Sequence, residues 1–276
     1  MLHEFFQNPF LVMALLAGCA AAIASGIVGS YVVVKRIVFI SGSIAHSVLG
    51  GMGLFLYLQR TFDLPYLRPI YGALLTAILA AFLIGWIHLN YKQREDTVIA
   101  ALWASGMAIG VIFISLTPGT NVELMQYLFG NILWTSSRDF LTLLCLDAVI
   151  LVTVSLLHTK LLAICFDEKQ AFLQKVPVKP LTFLLLSLIA LTTVLLIQVI
   201  GAILVIALLS LPAAMAGSFT KRLSHMMALA VLLSIIFTLF GLFLSYGLNW
   251  PPGATISLTT TLAYLLHLPL KRIIAR

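Results

Sequence analysis

Long apolar runs fill this chain, and its polar residues gather in the short breaks between them. A run of about 20 apolar residues has the length of a helix that crosses a bilayer. On that measure helices fall near 10–33, 37–59, 68–90, 97–117, 139–161, 181–200, 201–217, 226–247 and 254–270. Segment 201–217 is the least regular, being short, containing Pro212 and following its predecessor with no polar loop. A broken or re-entrant helix fits it as well as a span does, so the expected number of spans is eight or nine. Hydrocarbon offers no partner to backbone polar groups, so each segment must satisfy its own. The expected fold class is therefore all-α, a polytopic integral membrane protein.

Composition agrees with the pattern. Of the 276 residues 62% are hydrophobic and 9% charged, where soluble domains have about half and about a quarter. Placing the N-terminus outside puts every lysine and arginine except Arg60, Arg68 and Arg138 on the inner side, as the positive-inside bias requires. The C-terminus is then cytoplasmic, provided that 201–217 returns the chain inward. The net charge of +7 follows from this topology, and nucleic-acid binding is not expected. The opening MLHEFFQNPF has no basic stretch before its apolar run, so the first span is expected to persist and not to be removed as a signal peptide. Cys19, Cys145 and Cys165 are dispersed and odd in number, which argues against a disulfide framework or a thiolate cage. No internal repeat or Pro/Ser-rich linker interrupts the chain, and residues 1–276 read as a single transmembrane domain.

Against this apolar background a few residues carry chemistry. His46 stands in FISGSIAHSVLGGMG (39–53), about 15 Å along its helix from Lys35 and Arg36 and so near the middle of the membrane. An ionisable, metal-ligating side chain at that depth is a functional candidate. Gly42 and Gly50, one turn to either side, and Ser43 and Ser47 beside them suit pathway lining or close helix approach. The alternative is that His46 only bonds a neighbouring helix. Asp147, about eight residues into its span, offers an oxygen ligand or proton site, or simply a cap for a nearby hydroxyl. Glu123 and Asp139, in or next to the loop 118–138, attract a cation or stay hydrated.

The longest inner break, LLAICFDEKQAFLQKVPVKP, reads as a short amphipathic helix opened by Asp167 and Glu168, with Ala171, Phe172 and Val176 as its apolar stripe. It docks a partner or is a plain connector. The chain has no GxxxxGK[ST] phosphate loop and no HExxH zinc helix. Ser43 and Ser47 beside His46 do not reproduce an intramembrane serine protease site.

Four stretches, KRIVFISGSIAHSVLGG (35–51), ELMQYLFGNIL (123–133), FDEKQAFLQKVPV (166–178) and VIGAILVIALLSLPAAMA (199–216), together with WPPGATISL (250–258), resemble in order and spacing the ABC-3 permease subunits of bacterial zinc, manganese and iron importers. The resemblance implies a non-enzymatic permease in the bacterial cytoplasmic (inner) membrane, paired with a second copy or a paralogous permease. It also implies two ABC ATPase subunits that carry the ATP and an extracytoplasmic metal-binding receptor. No cofactor is bound by this chain; the divalent metal, Zn, Mn or Fe, is cargo. Residues 166–176 become the cytoplasmic coupling helix, with Asp167, Glu168, Ala171, Phe172 and Val176 meeting the ATPase. Relatives often carry an Asp one turn before the His, where this chain has Gly42, and a Gly where it has Lys175. Loss of that carboxylate leaves His46 with Asp147, or with His46 of the paired subunit, as metal-path residues, and leans toward zinc on ligand softness. Two alternatives remain open: a siderophore- or cobalamin-type ABC permease, and an intramembrane enzyme using His46 and Asp147 as acid and base.

Overall fold

The structure, a computed structural model, describes residues 8–91, 95–119, 130 and 132–274. Among the described residues every regular element is helical: α1 (Pro9–Val34), α2 (Val38–Thr61), α3 (Pro69–Asn90), α4 (Glu95–Leu116), a 3₁₀ turn (Ile132–Trp134), α5 (Ser137–Phe166), α6 (Glu168–Leu173), α7 (Val178–Ile200), α8 (Ala202–Phe219), α9 (Leu223–Leu248) and α10 (Pro252–Ile274). Eight of these are long and apolar enough to cross a membrane. The last long helix, α10, is not among them. Its four threonines and two prolines dilute the apolar run. The all-α polytopic expectation therefore holds.

The break in the continuous apolar stretch 181–217 is a single residue. Gly201 has φ 82°, a conformation that a Cβ disfavours and glycine adopts freely, and it separates α7 from α8 without any polar loop. Beyond it α8 runs unbroken for 18 residues, with Pro212 inside. At 1.5 Å per residue that is about 27 Å, enough for most of a bilayer core of about 30 Å. The junction between α9 and α10 uses another device: Asn249 ends α9 in the left-handed region (φ 57°), which asparagine tolerates. Pro251 and Pro252 then follow, the latter opening α10 where a missing N–H costs nothing.

Two compact units divide the chain. One comprises Met1–Val34, Gln126–Leu156 and Val199–Arg276; the other comprises Lys35–Met125 and Leu157–Gln198. In the first, α1 packs against α8 and α9, and α10 against both. The second is built on α2, which packs against α3 and α4. Its most extensive seam is between α2 and α4. A Cβ at Gly53 would lie 2.7 Å from the carbonyl oxygen of Gly110 and one at Gly50 3.0 Å from that of Gly106, so small residues let the two backbones touch.

Candidate functional site

His46 lies nine residues into α2, about 12 Å along a helix of about 36 Å. The helix around it is buried from Ile40 to Gly51, and His46 alone in that stretch keeps partial access. Its imidazole stacks on the indole of Trp103 from α4, with ring centroids 4.3 Å apart and planes 17° from parallel. Two hydroxyls hold the register of this pair. Ser43 donates to the Ile99 carbonyl at 2.9 Å and Ser47 to the Leu102 carbonyl at 3.1 Å. Both acceptors lie in the turn of α4 that leads up to Trp103. Gly42 completes the arrangement, because a Cβ there would sit 3.2 Å from the indole edge. The absent side chain at position 42 and the presence of Trp103 are one packing solution. One turn farther on, Ser47, Gly50, Thr76, Ser105 and Gly106 line a cavity of about 250 Å³ between α2, α3 and α4.

Trp103 was invisible to sequence reading, since nothing in an apolar helix marks which residue faces a histidine 57 positions away. The structure brings His46 together with Gly42, Ser43, Ser47 and Gly50 as expected from helical spacing. Asp147 belongs to the other compact unit and is 4% exposed. Among those residues no three His, Cys, Asp or Glu side chains cluster so as to hold a metal ion, and all three cysteines are free. Asp139, read as a possible cation attractor, instead closes a capping box at the start of α5. Its carboxylate accepts from the Ser136 N–H (3.1 Å) and hydroxyl (2.6 Å), and its own N–H donates to Ser136 Oγ (3.2 Å). Glu123 and most of the stretch 123–133 lie outside the described residues.

The break after α5 folds into the short helix α6. Asp167 caps it, accepting from the N–H groups of Lys169 and Gln170. A Schellman motif ends it, with Val176 N–H donating to the Ala171 carbonyl and Lys175 N–H to that of Phe172, both 3.0 Å. Lys175 is the left-handed residue of that motif, at φ 61°. The apolar stripe expected of Ala171, Phe172 and Val176 divides. Ala171 is buried, Val176 is half-buried, and Phe172 and Leu173 stand 70% and 80% exposed. Neighbours on a helix differ by 100° in direction, so Ala171 and Phe172 cannot share a face. Phe172, Leu173, Val176, Pro177 and Leu89 line an apolar groove of about 610 Å³, bordered by Glu168, Lys169 and Lys179.

Glu168 does not point into solvent with its neighbours. Its carboxylate accepts from the ammonium of Lys35, which also donates to the Ile164 carbonyl at 3.2 Å. The His88 Nε2, in the last turn of α3, lies 3.1 Å from both of its oxygens. Burial by itself would raise the Glu168 pKa, but the hydrogen bonds and charge of His88 and Lys35 outweigh it and hold the carboxyl down at about 2.

Residues 7–271 match the ABC 3 transport family. The chain belongs to that family. It is 49% identical over 271 residues to a probable metal transport system membrane protein of Chlamydia muridarum, covering 98% of this chain and 92% of the relative. It is 33% identical over 270 residues to the manganese import system permease protein ScaB of Streptococcus parasanguinis, covering 96% and 94%. Its fold is similar to that of PsaBC from Streptococcus pneumoniae, solved in complex with Fab, at a TM-score of 0.83 and 30% identity over 96% of this chain and 95% of that one. As a member of the ABC 3 family the chain is a multi-pass ABC permease, a transport subunit and not itself an enzyme.

Proposed function

We propose that this ABC 3 permease forms, with a second copy of itself, the membrane path of an ATP-driven importer of divalent transition-metal ions. The observation that carries the reading is the near full-length similarity to permeases whose names state metal and manganese transport. The deep imidazole of His46 supports it, since a neutral histidine ring is the commonest protein ligand of such ions. The cargo metal is manganese on the strength of those relatives. The single nitrogen donor at His46 leans toward a softer ion such as zinc, and the experiment below separates the two.

In this reading an external receptor delivers the ion, and two ATPase subunits seat on α6. The exposed Phe172 and Leu173 and the groove behind them supply an apolar anchor with charged groups at its border, the pattern of an interface hot spot. His46 touches the ion in passing, bound on one ring face by Trp103 and free to offer a nitrogen at its edge. With one strong donor the ion is not trapped, and a transport site must release what it binds. The exposed apolar faces of α4 and α5, carrying Ile109, Ile112, Leu141 and Val152, suit lipid and the second copy.

Uptake into proteoliposomes that hold the permease, its ATPase and its receptor, with radiolabelled Mn²⁺ against competing Zn²⁺ and Fe²⁺, tests this function. ATP-dependent manganese uptake is expected. Uptake of a metal chelate or cobalamin in place of free ions would replace the reading with the siderophore-type one, and catalysis by the permease alone would replace it with an enzyme.

A further inference from the structure

One carboxylate joins three elements of the second unit. Glu168 opens α6, yet its oxygens are turned from the exposed Phe172 and Leu173 toward Lys35 and His88. Lys35 lies three residues before the start of α2, and its side chain is only 9% exposed. Between it and α2 stand Arg36 in the left-handed region (φ 61°) and buried Ile37, a short, sharply turned connection. His88 is in the last turn of α3, the helix that packs against α2. Lys35 further donates to the Ile164 carbonyl in the last turn of α5, three residues before Asp167, which caps α6. A displacement of α6 therefore pulls on the short turn 35–37, which follows Val34 at the end of α1 and leads into the helix that carries His46. Charge-assisted hydrogen bonds are the strong ones, and with its carboxyl held near 2 Glu168 stays ionised throughout the neutral range.

We propose that Glu168 is a positioning residue of transport: through its bonds to Lys35 and His88 it passes movement of α6 to the base of α2, and so to His46. This rests on α6 being the surface where the ATPase seats. A helix is stiff along its axis, and His46 lies eight positions after Val38 in α2, so a shift of the base carries to the site. Phe172 holds the partner in this scheme, while Glu168 transmits.

The test uses the whole transporter in proteoliposomes and reads metal accumulated per ATP hydrolysed. Glu168→Gln keeps the shape and removes the charge. It is expected to keep the ATPase bound and hydrolysing while uptake per ATP falls at least fivefold. Lys35→Gln, which removes the other charge of the pair, is expected to lower uptake per ATP as well, and the double variant Lys35→Gln with Glu168→Gln to lose no more than either alone, a non-additivity that independent local effects do not give. Unchanged uptake per ATP in Glu168→Gln overturns the proposal. So does loss of ATPase binding in that variant, which would place Glu168 in the docking surface, or a double variant whose loss is the full sum of the two single losses. Should Glu168→Gln not fold, Lys35→Gln breaks the same bond from the other side and takes its place with the same outcomes. ATPase that stays bound to Phe172→Asp would instead defeat the docking role of α6, a failure distinct from that of Glu168.

Discussion

At the scale of single residues the site turns on what fills one small space. Position 42 has no side chain, and the indole of Trp103 occupies the volume a side chain would take, with its face on His46. A carboxylate introduced there meets the ring edge first. Gly42→Asp alone is expected to lower stability by about 1–3 kcal/mol, as overpacking does, and to cost clearly less when introduced into Trp103→Ala than into the wild type. Thermal melting in detergent checks both, and equal melting of the single variant and the wild type would show that Trp103 moves aside freely. His46→Ala is expected to abolish metal uptake while the ATPase still co-purifies; normal uptake would remove His46 from the path. His46 itself was legible in the chain because ionisable residues are rare at membrane depth. Trp103 was not, because one more aromatic in an apolar helix carries no signal until the α2–α4 register is known.

At the scale of elements, helix existence followed from hydrophobic run length, and helix ends from local chemistry. The α6 helix shows both the reach and the limit of that reading. Asp167 as its cap was foreseeable from residue type, whereas the bond from Glu168 back to Lys35, 133 positions earlier, was not. Its end carries a cost the sequence hinted at, for Lys175 holds a left-handed conformation that costs a residue with a Cβ roughly 1–2 kcal/mol. Lys175→Gly is expected to stabilise this end by about 1 kcal/mol or less once the added freedom of the unfolded glycine is counted, seen as slower hydrogen exchange at Val176. The exposed aromatic at the other face is expected to matter for assembly. Phe172→Asp should cut ATPase co-purification at least tenfold, and intact co-purification would show that the groove is not the seat.

At the scale of the whole molecule, acid should find the Glu168 junction before neutral pH does. A carboxyl held at about 2, below the ordinary carboxylate value, adds stability that is complete above that ordinary value and is lost as pH falls toward 2. Melting of the purified protein followed from pH 6 down to 3 should therefore decline more steeply in the wild type than in Glu168→Gln; parallel curves would show that the ion pair adds nothing. The amino-acid sequence by itself determined that the chain crosses a membrane in helices, roughly where along the chain those helices fall, and that a histidine stands deep within one of them. Each of these depends on run length, local capping or the rarity of a charge in hydrocarbon, all of which act within a few tens of residues. Only the tertiary structure decided that Trp103 covers His46, that Asp147 lies in the other compact unit, and that Glu168 turns to Lys35 and His88. Those contacts join segments far apart in the chain, and in an apolar helix many faces are equally greasy, so only packing selects which one meets its neighbour.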